Sequence, residues 1–95
     1  MAEIRLSLAA AEKLERMILT HSLPYDTKDR VRRSLRIVEQ FPRAGRELDG
    51  RWAPLRMLVG PWRWLLILYE YDEQQDMVQV VAMQDARSSL AATSG

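Results

Sequence analysis

Ile4, Leu6 and Leu8 alternate with Glu3, Arg5 and Ser7, a period of two that predicts a short half-buried strand. The period then lengthens: Leu8, Ala11, Leu14 and Ile18 recur at helical spacing, with Ser7 placed to cap the first turn. Leu23-Pro24 stops this helix, because a residue before proline avoids the helical region. Asp26 is positioned to cap a second helix, with Asp29 favouring its N-terminus. In that helix Val31, Leu35 and Val38 form an apolar stripe, and Lys28, Arg32 and Arg36 fall on the opposite side. Pro42 ends it, and Pro42-Arg43-Ala44-Gly45 with Asp49-Gly50 reads as a turn-rich connection.

The remainder reads as sheet. Leu55 to Val59 predicts a strand, Gly60-Pro61 turns the chain, and Trp62 to Tyr71 predicts a third strand that is apolar on both faces. Such a strand is central, or is covered on its far side by a partner. After the polar turn Asp72 to Asp76, Met77 to Met83 returns as a fourth strand with Val78, Val80 and Ala82 on one face. The expected fold is α+β: an N-terminal strand, a two-helix hairpin, then an antiparallel three-strand meander, with the helices packed on one face of the sheet. Leu14, Ile18, Val31, Leu35, Val38, Leu66, Leu68, Val78 and Val80 are the expected core. Residues 1–95 make a single domain, with a small polar tail from about residue 88 expected to fray.

Composition narrows the chemistry. With no cysteine and one histidine (His21), a disulfide framework, a thiolate metal site and a histidine cluster are all excluded. The longest apolar run is far shorter than the ~20 residues that cross a bilayer, and no leader pattern precedes a cleavage site. The expectation is a soluble cytoplasmic domain without membrane contact, metal or cofactor. The net charge is only +1, yet residues 28–46 hold seven basic residues (Lys28, Arg30, Arg32, Arg33, Arg36, Arg43, Arg46) against Asp29 and Glu39. A basic surface on a nearly neutral chain points to an anionic partner.

Five motifs in order carry a family resemblance: Phe41-Pro42-Arg43-Ala44-Gly45, Glu47-Leu48-Asp49-Gly50, Leu55-Arg56, Gly60-Pro61-Trp62-Arg63 and Leu68-Tyr69-Glu70-Tyr71-Asp72. Over residues 3 to 87 the chain resembles the RelE/ParE superfamily of bacterial type II toxin–antitoxin toxins. It departs from that pattern in the longer stretch from Trp62 to Tyr69. It departs again at Met83-Gln84-Asp85-Ala86-Arg87, where many relatives carry His and paired arginines. The resemblance implies a toxin that a cognate antitoxin neutralises, alone as a homodimer or with that antitoxin as a hetero-oligomer. Its target would be ribosome-bound messenger RNA, cleaved as an endoribonuclease, or DNA gyrase, poisoned without catalysis. A protein–protein interaction module that keeps the fold without toxicity is the alternative.

By the same resemblance Arg56 matches the family's strand arginine and Arg87 its C-terminal arginine, the two positions expected to touch an anionic target. Cleavage by a 2′-hydroxyl needs a base, a cation for the phosphorane charge and help for the leaving oxygen. Arginine suits the second task, since its fork pairs with phosphate and stays charged. Arg63, Tyr69 and Asp85 are auxiliary candidates. Arg63 and Tyr69 have ordinary structural roles open to them as well, and Asp85 can act beside Arg87. Trp62 and Trp64 read as sheet-flanking residues that become antitoxin interface. The acids Glu70, Asp72, Glu73 and Asp76 read as a solvated turn, without the spaced glycine of a calcium loop. His21, near a helix end, reads as a surface or capping residue, so the pattern supplies no general base.

Overall fold

In the computed structural model, which describes residues 1–87, the elements run β1 (Glu3–Leu6), α1 (Leu8–Thr20), α2 (Thr27–Ser34), α3 (Arg36–Gln40), β2 (Arg46–Glu47), β3 (Arg56–Val59), β4 (Leu65–Asp72) and β5 (Met77–Asp85). The strands form one sheet in the order β1-β5-β4-β3-β2, with β1 parallel to β5 and every other pair antiparallel. The α+β arrangement is the one the period switch predicts. The tail expected to fray, from Ser88 on, lies outside the described residues.

Ser7 caps α1 as its side chain allows, accepting from the Ala10 N–H at 3.1 Å. Asp26 does not cap α2. Its carboxylate is taken by Arg30 Nε at 3.1 Å, and the helix start is closed by Thr27, which donates both its N–H and its hydroxyl to the Pro24 carbonyl. The second predicted helix is also two pieces joined at Leu35. Ser34 explains the break: its hydroxyl donates back to the Arg30 carbonyl at 3.1 Å, a bond that competes with the helical ladder and bends it.

Four sheet expectations are corrected. The Arg46–Glu47 segment, read as loop, adds a fifth strand by pairing with β3. The third predicted strand starts at Leu65, because Gly60 N–H to Leu65 O (2.8 Å) and Leu65 N–H to Trp62 O (3.0 Å) close a tight loop that holds Trp62 to Trp64 beyond the sheet. The core face of β4 is Leu65, Ile67 and Tyr69, whereas Leu66 is half-buried on the face away from the helices. A pattern apolar on both faces cannot choose between them.

On β5 the expected face Val78, Val80, Ala82 is interrupted. Leu68 pairs with Ala82 and Tyr69 with Val80, so Val81 is an extra residue in the ladder. This β-bulge reverses the alternation. Val78 and Val80 face the core, Ala82 turns outward, and Met83 turns inward. The Val81 carbonyl accepts from the Ser7 hydroxyl at 3.2 Å. Against the inner face pack Ala10, Leu14 and Met17 of α1 with Val31, Leu35 and Val38 of the second and third helices. Ile18 is partly buried against this core, and Leu68 is buried (4% exposed) although its ladder partners are Met57 and Ala82 on the outer face. Among the described residues no helix is long and apolar enough to cross a membrane.

Candidate functional site

The site lies where α1 ends. His21 N–H reaches back to the Met17 carbonyl at 2.9 Å, Ser22 takes a left-handed φ of 50°, and Leu23 N–H bonds the Ile18 carbonyl at 3.0 Å. This is the hydrogen-bonded reversal that commonly closes a helix C-terminus. It fixes the His21 ring over the end of β5.

There His21 Nε2 lies 2.8 Å from Asp85 Oδ2, across 64 residues of chain, and Nδ1 lies 2.8 Å from the Thr20 hydroxyl. The ring stacks on Trp64, centroids 5.2 Å apart and planes 11° apart. Trp64 stacks in turn on Trp62 at 5.6 Å. Arg87 places its guanidinium 4.3 Å from the Trp64 ring centre, and Arg30 lies 5.9 Å from that of Trp62. Asp85 is the hub. Its Oδ1 accepts from Arg87 N–H at 2.8 Å and Nε at 3.2 Å, and its Oδ2 accepts from Arg87 Nη2 at 3.3 Å.

The Arg87 guanidinium hydrogen bonds pull the Asp85 carboxyl down to about 2, helped by His21 and the Arg87 N–H and opposed by partial burial. A carboxylate lowered by folding stabilises the protein above its unfolded pKa near 3.8 and loses that contribution as pH falls through about 2. Asp85→Asn should therefore lower stability by about 1–2 kcal/mol at neutral pH, the exposed arginine side screening part of the shift. The gap between wild-type and variant urea midpoints should shrink between pH 4 and pH 2. A gap that is constant over that range would contradict the assignment.

Arg56 is not part of this cluster. It pairs with Tyr69, while Asp85 pairs with Leu65. Four residues of β4, about 13 Å, separate the two registers. The Arg56 side chain is 21% exposed, and its Nη1 donates to the Arg43 and Gly45 carbonyls at 3.2 and 3.0 Å. Tyr69 braces the same turn. Its hydroxyl donates to the Pro42 carbonyl and accepts from Gly45 N–H, both at 2.8 Å. Burial pushes the Tyr69 phenol above its ordinary value, against the opposing pull of Gly45 and Arg56. Arg63 is exposed, and Trp62 and Trp64 are half-buried. In the acidic turn Asp72 accepts the Gln74 and Gln75 N–H groups, and Glu73 pairs with Arg43.

The structure thus joins Asp85, Arg87, Trp62 and Trp64, and separates them from Arg56 and Tyr69. It adds His21, which sits at the C-cap of α1 as the sequence predicts but also reaches Asp85, and Arg30, which in the sequence counts only within the basic stretch. The only signal for His21 was that it is the single imidazole in the chain. Nothing along the sequence ties it to Asp85. Among the described residues no group of three His, Cys, Asp or Glu side chains is placed to hold a metal ion.

No family model and no curated protein sequence matches the chain. Solved structures do. The isolated RelE toxin of E. coli superposes with a TM-score of 0.69 at 15% identity, covering 99% of this chain and 95% of that one. A copper-bound mutant toxin from Helicobacter pylori gives 0.61 at 16% identity, covering 90% and 94%. The solution structure of protein HP0894 from Helicobacter pylori gives 0.54 at 12%, again covering 90% and 94%. At such identities the likeness is one of fold: the chain has the fold of the RelE toxins.

Proposed function

We propose that this chain, with its RelE-toxin fold, is a growth-inhibiting toxin that cuts messenger RNA on the ribosome and is neutralised by a cognate antitoxin. The observation that supports this most directly is the state of Arg87. Its Nε and one Nη2 proton are held by Asp85 and its Cζ lies over the Trp64 ring, 4.3 Å from the centre, yet the side chain is 59% exposed. The remaining N–H groups form a pre-oriented fork of the kind that binds a phosphate. Exposed Arg30 lies beside Trp62, and exposed Arg63 stands between the two tryptophans in the chain; cations near aromatic rings suit a single-stranded nucleic acid better than a protein target. Arg56 in this reading braces the Pro42–Gly45 turn, and an antitoxin segment lying over Trp62 and Trp64 blocks Arg87.

The test is cleavage by the purified chain of a defined message on programmed ribosomes, with supercoiling by DNA gyrase run alongside. We expect cuts within the message and unaffected gyrase. Arg87→Ala should lower the cleavage rate about 100-fold or more, and Arg87→Lys should recover only part of it, because ammonium keeps the charge and loses the fork. Gyrase inhibition without RNA cleavage would transfer the toxin to the other target. Neither effect, with unimpeded growth on induction, would leave the non-toxic interaction module.

A further inference from the structure

We propose that His21 is the general base of this cleavage, taking the proton of the attacking 2′-hydroxyl on Nδ1 while Arg87 holds the phosphate. The proposal rests on the ribonuclease reading above. An ionised carboxylate only accepts hydrogen bonds, so in the neutral imidazole it is Nε2 that donates to Asp85 Oδ2 at 2.8 Å. Nδ1 is left with its lone pair. That lone pair meets the Thr20 hydroxyl, 2.8 Å away. A hydroxyl therefore already sits on the basic nitrogen, at the distance from which a base removes a proton.

Thr20 is exposed. Its side chain can rotate away, and a substrate 2′-hydroxyl can take the same place. The imidazole cannot follow that rotation. One face lies against Trp64, Nε2 is anchored on Asp85, and the backbone is fixed by the bonded reversal at Ser22 and Leu23. The groups around it are Thr20, Asp85, Trp64 and, through the shared carboxylate, Arg87. Base and cation are thus held on one carboxylate, the pairing that a 2′-hydroxyl attack needs.

The step balances without another reagent. The 2′-oxygen forms a bond to phosphorus as its proton passes to Nδ1. The phosphorus–O5′ bond breaks, and the leaving oxygen takes a proton from the imidazolium, directly or through water. The products are a 2′,3′-cyclic phosphate and a 5′-hydroxyl, and the imidazole is returned neutral. Arg87 faces the charge that builds on the phosphorane oxygens.

The experiment uses the full chain on programmed ribosomes. His21→Gln should lower kcat by about 100- to 1,000-fold with KM within about twofold. Added imidazole should revive His21→Ala and leave Arg87→Ala unchanged. Thr20→Val should keep cleaving, since the substrate hydroxyl replaces the one removed. If the wild type cuts and His21→Gln cuts equally fast, the base assignment falls and the ribonuclease reading stands. A slow His21→Ala that imidazole does not revive also overturns the assignment, because His21 then only braces the site. If the wild type cuts no ribosome-bound message, both fall together.

Discussion

Gly45→Ala should cost about 3 kcal/mol, from overpacking a closed site and from the hydrogen bonds displaced with it. A Cβ at position 45 would lie 2.6 Å from the Tyr69 hydroxyl, 2.7 Å from its Cε1 and 3.0 Å from the Met57 carbonyl. None of the three can yield cheaply. The Tyr69 ring is fully buried and its hydroxyl is held by Pro42 and Gly45, and the Met57 carbonyl belongs to a strand paired on both sides. Moving the ring would also unseat the turn that Arg56 braces from outside. For a domain of this size such a loss corresponds to a melting temperature lower by about 12–24 °C. Thermal melts of the two proteins followed by circular dichroism check it, and a drop under about 5 °C would mean that the turn relaxes around the methyl group.

Ile67→Ala should cost about 4 kcal/mol and Leu66→Ala less than about 1.5 kcal/mol, although the two are chain neighbours of equal size. Ile67 is fully buried between Leu58 of β3 and Met83 of β5 on the helix face, so truncation leaves a cavity as well as lost transfer energy. Leu66 is half-buried on the outer face beside Val59 and Gln84. Urea titrations at neutral pH give both values. Equal costs would show that a partner or second copy covers the outer face in solution. A reversed order would contradict the inner and outer assignment of β4.

This pair of variants also marks what the sequence could and could not say. Period and breakers located the strand, both helix starts and the meander, because local spacing and proline chemistry act within a few residues. Which side of Trp62–Tyr71 turns inward was illegible, since both faces are apolar apart from Arg63 on one and Glu70 on the other, and the choice depends on where the Gly60–Leu65 loop closes. Arg87, Asp85, Trp62 and Trp64 were each visible by residue type. Their convergence was not, because it is made by packing α1 across the end of the sheet. The same packing turned His21 from an isolated ring into the partner of Asp85. Arg56 was legible as a conspicuous strand arginine, but its commitment to the Arg43 and Gly45 carbonyls follows only from the path of the turn above it.

The extra residue at Val81 makes the position of the carboxylate a question of counting. Strand β5 presents Val78 and Val80 inward, skips one place, and then presents Met83 and Asp85. With an uninterrupted ladder the odd positions beyond Val80 would face outward, and Asp85 would leave His21 while every side chain in the chain stayed the same. Deleting Val81 itself would straighten the ladder and still leave Met83 and Asp85 facing inward, so the facing of the carboxylate depends on the extra residue being taken up as a bulge. A relative with Val81's place missing and a regular last strand keeps the carboxylate behind the imidazole, whereas one of the same length that pairs without the bulge turns it away. For this chain, how the last strand pairs is as informative about chemistry as the identity of any residue on it.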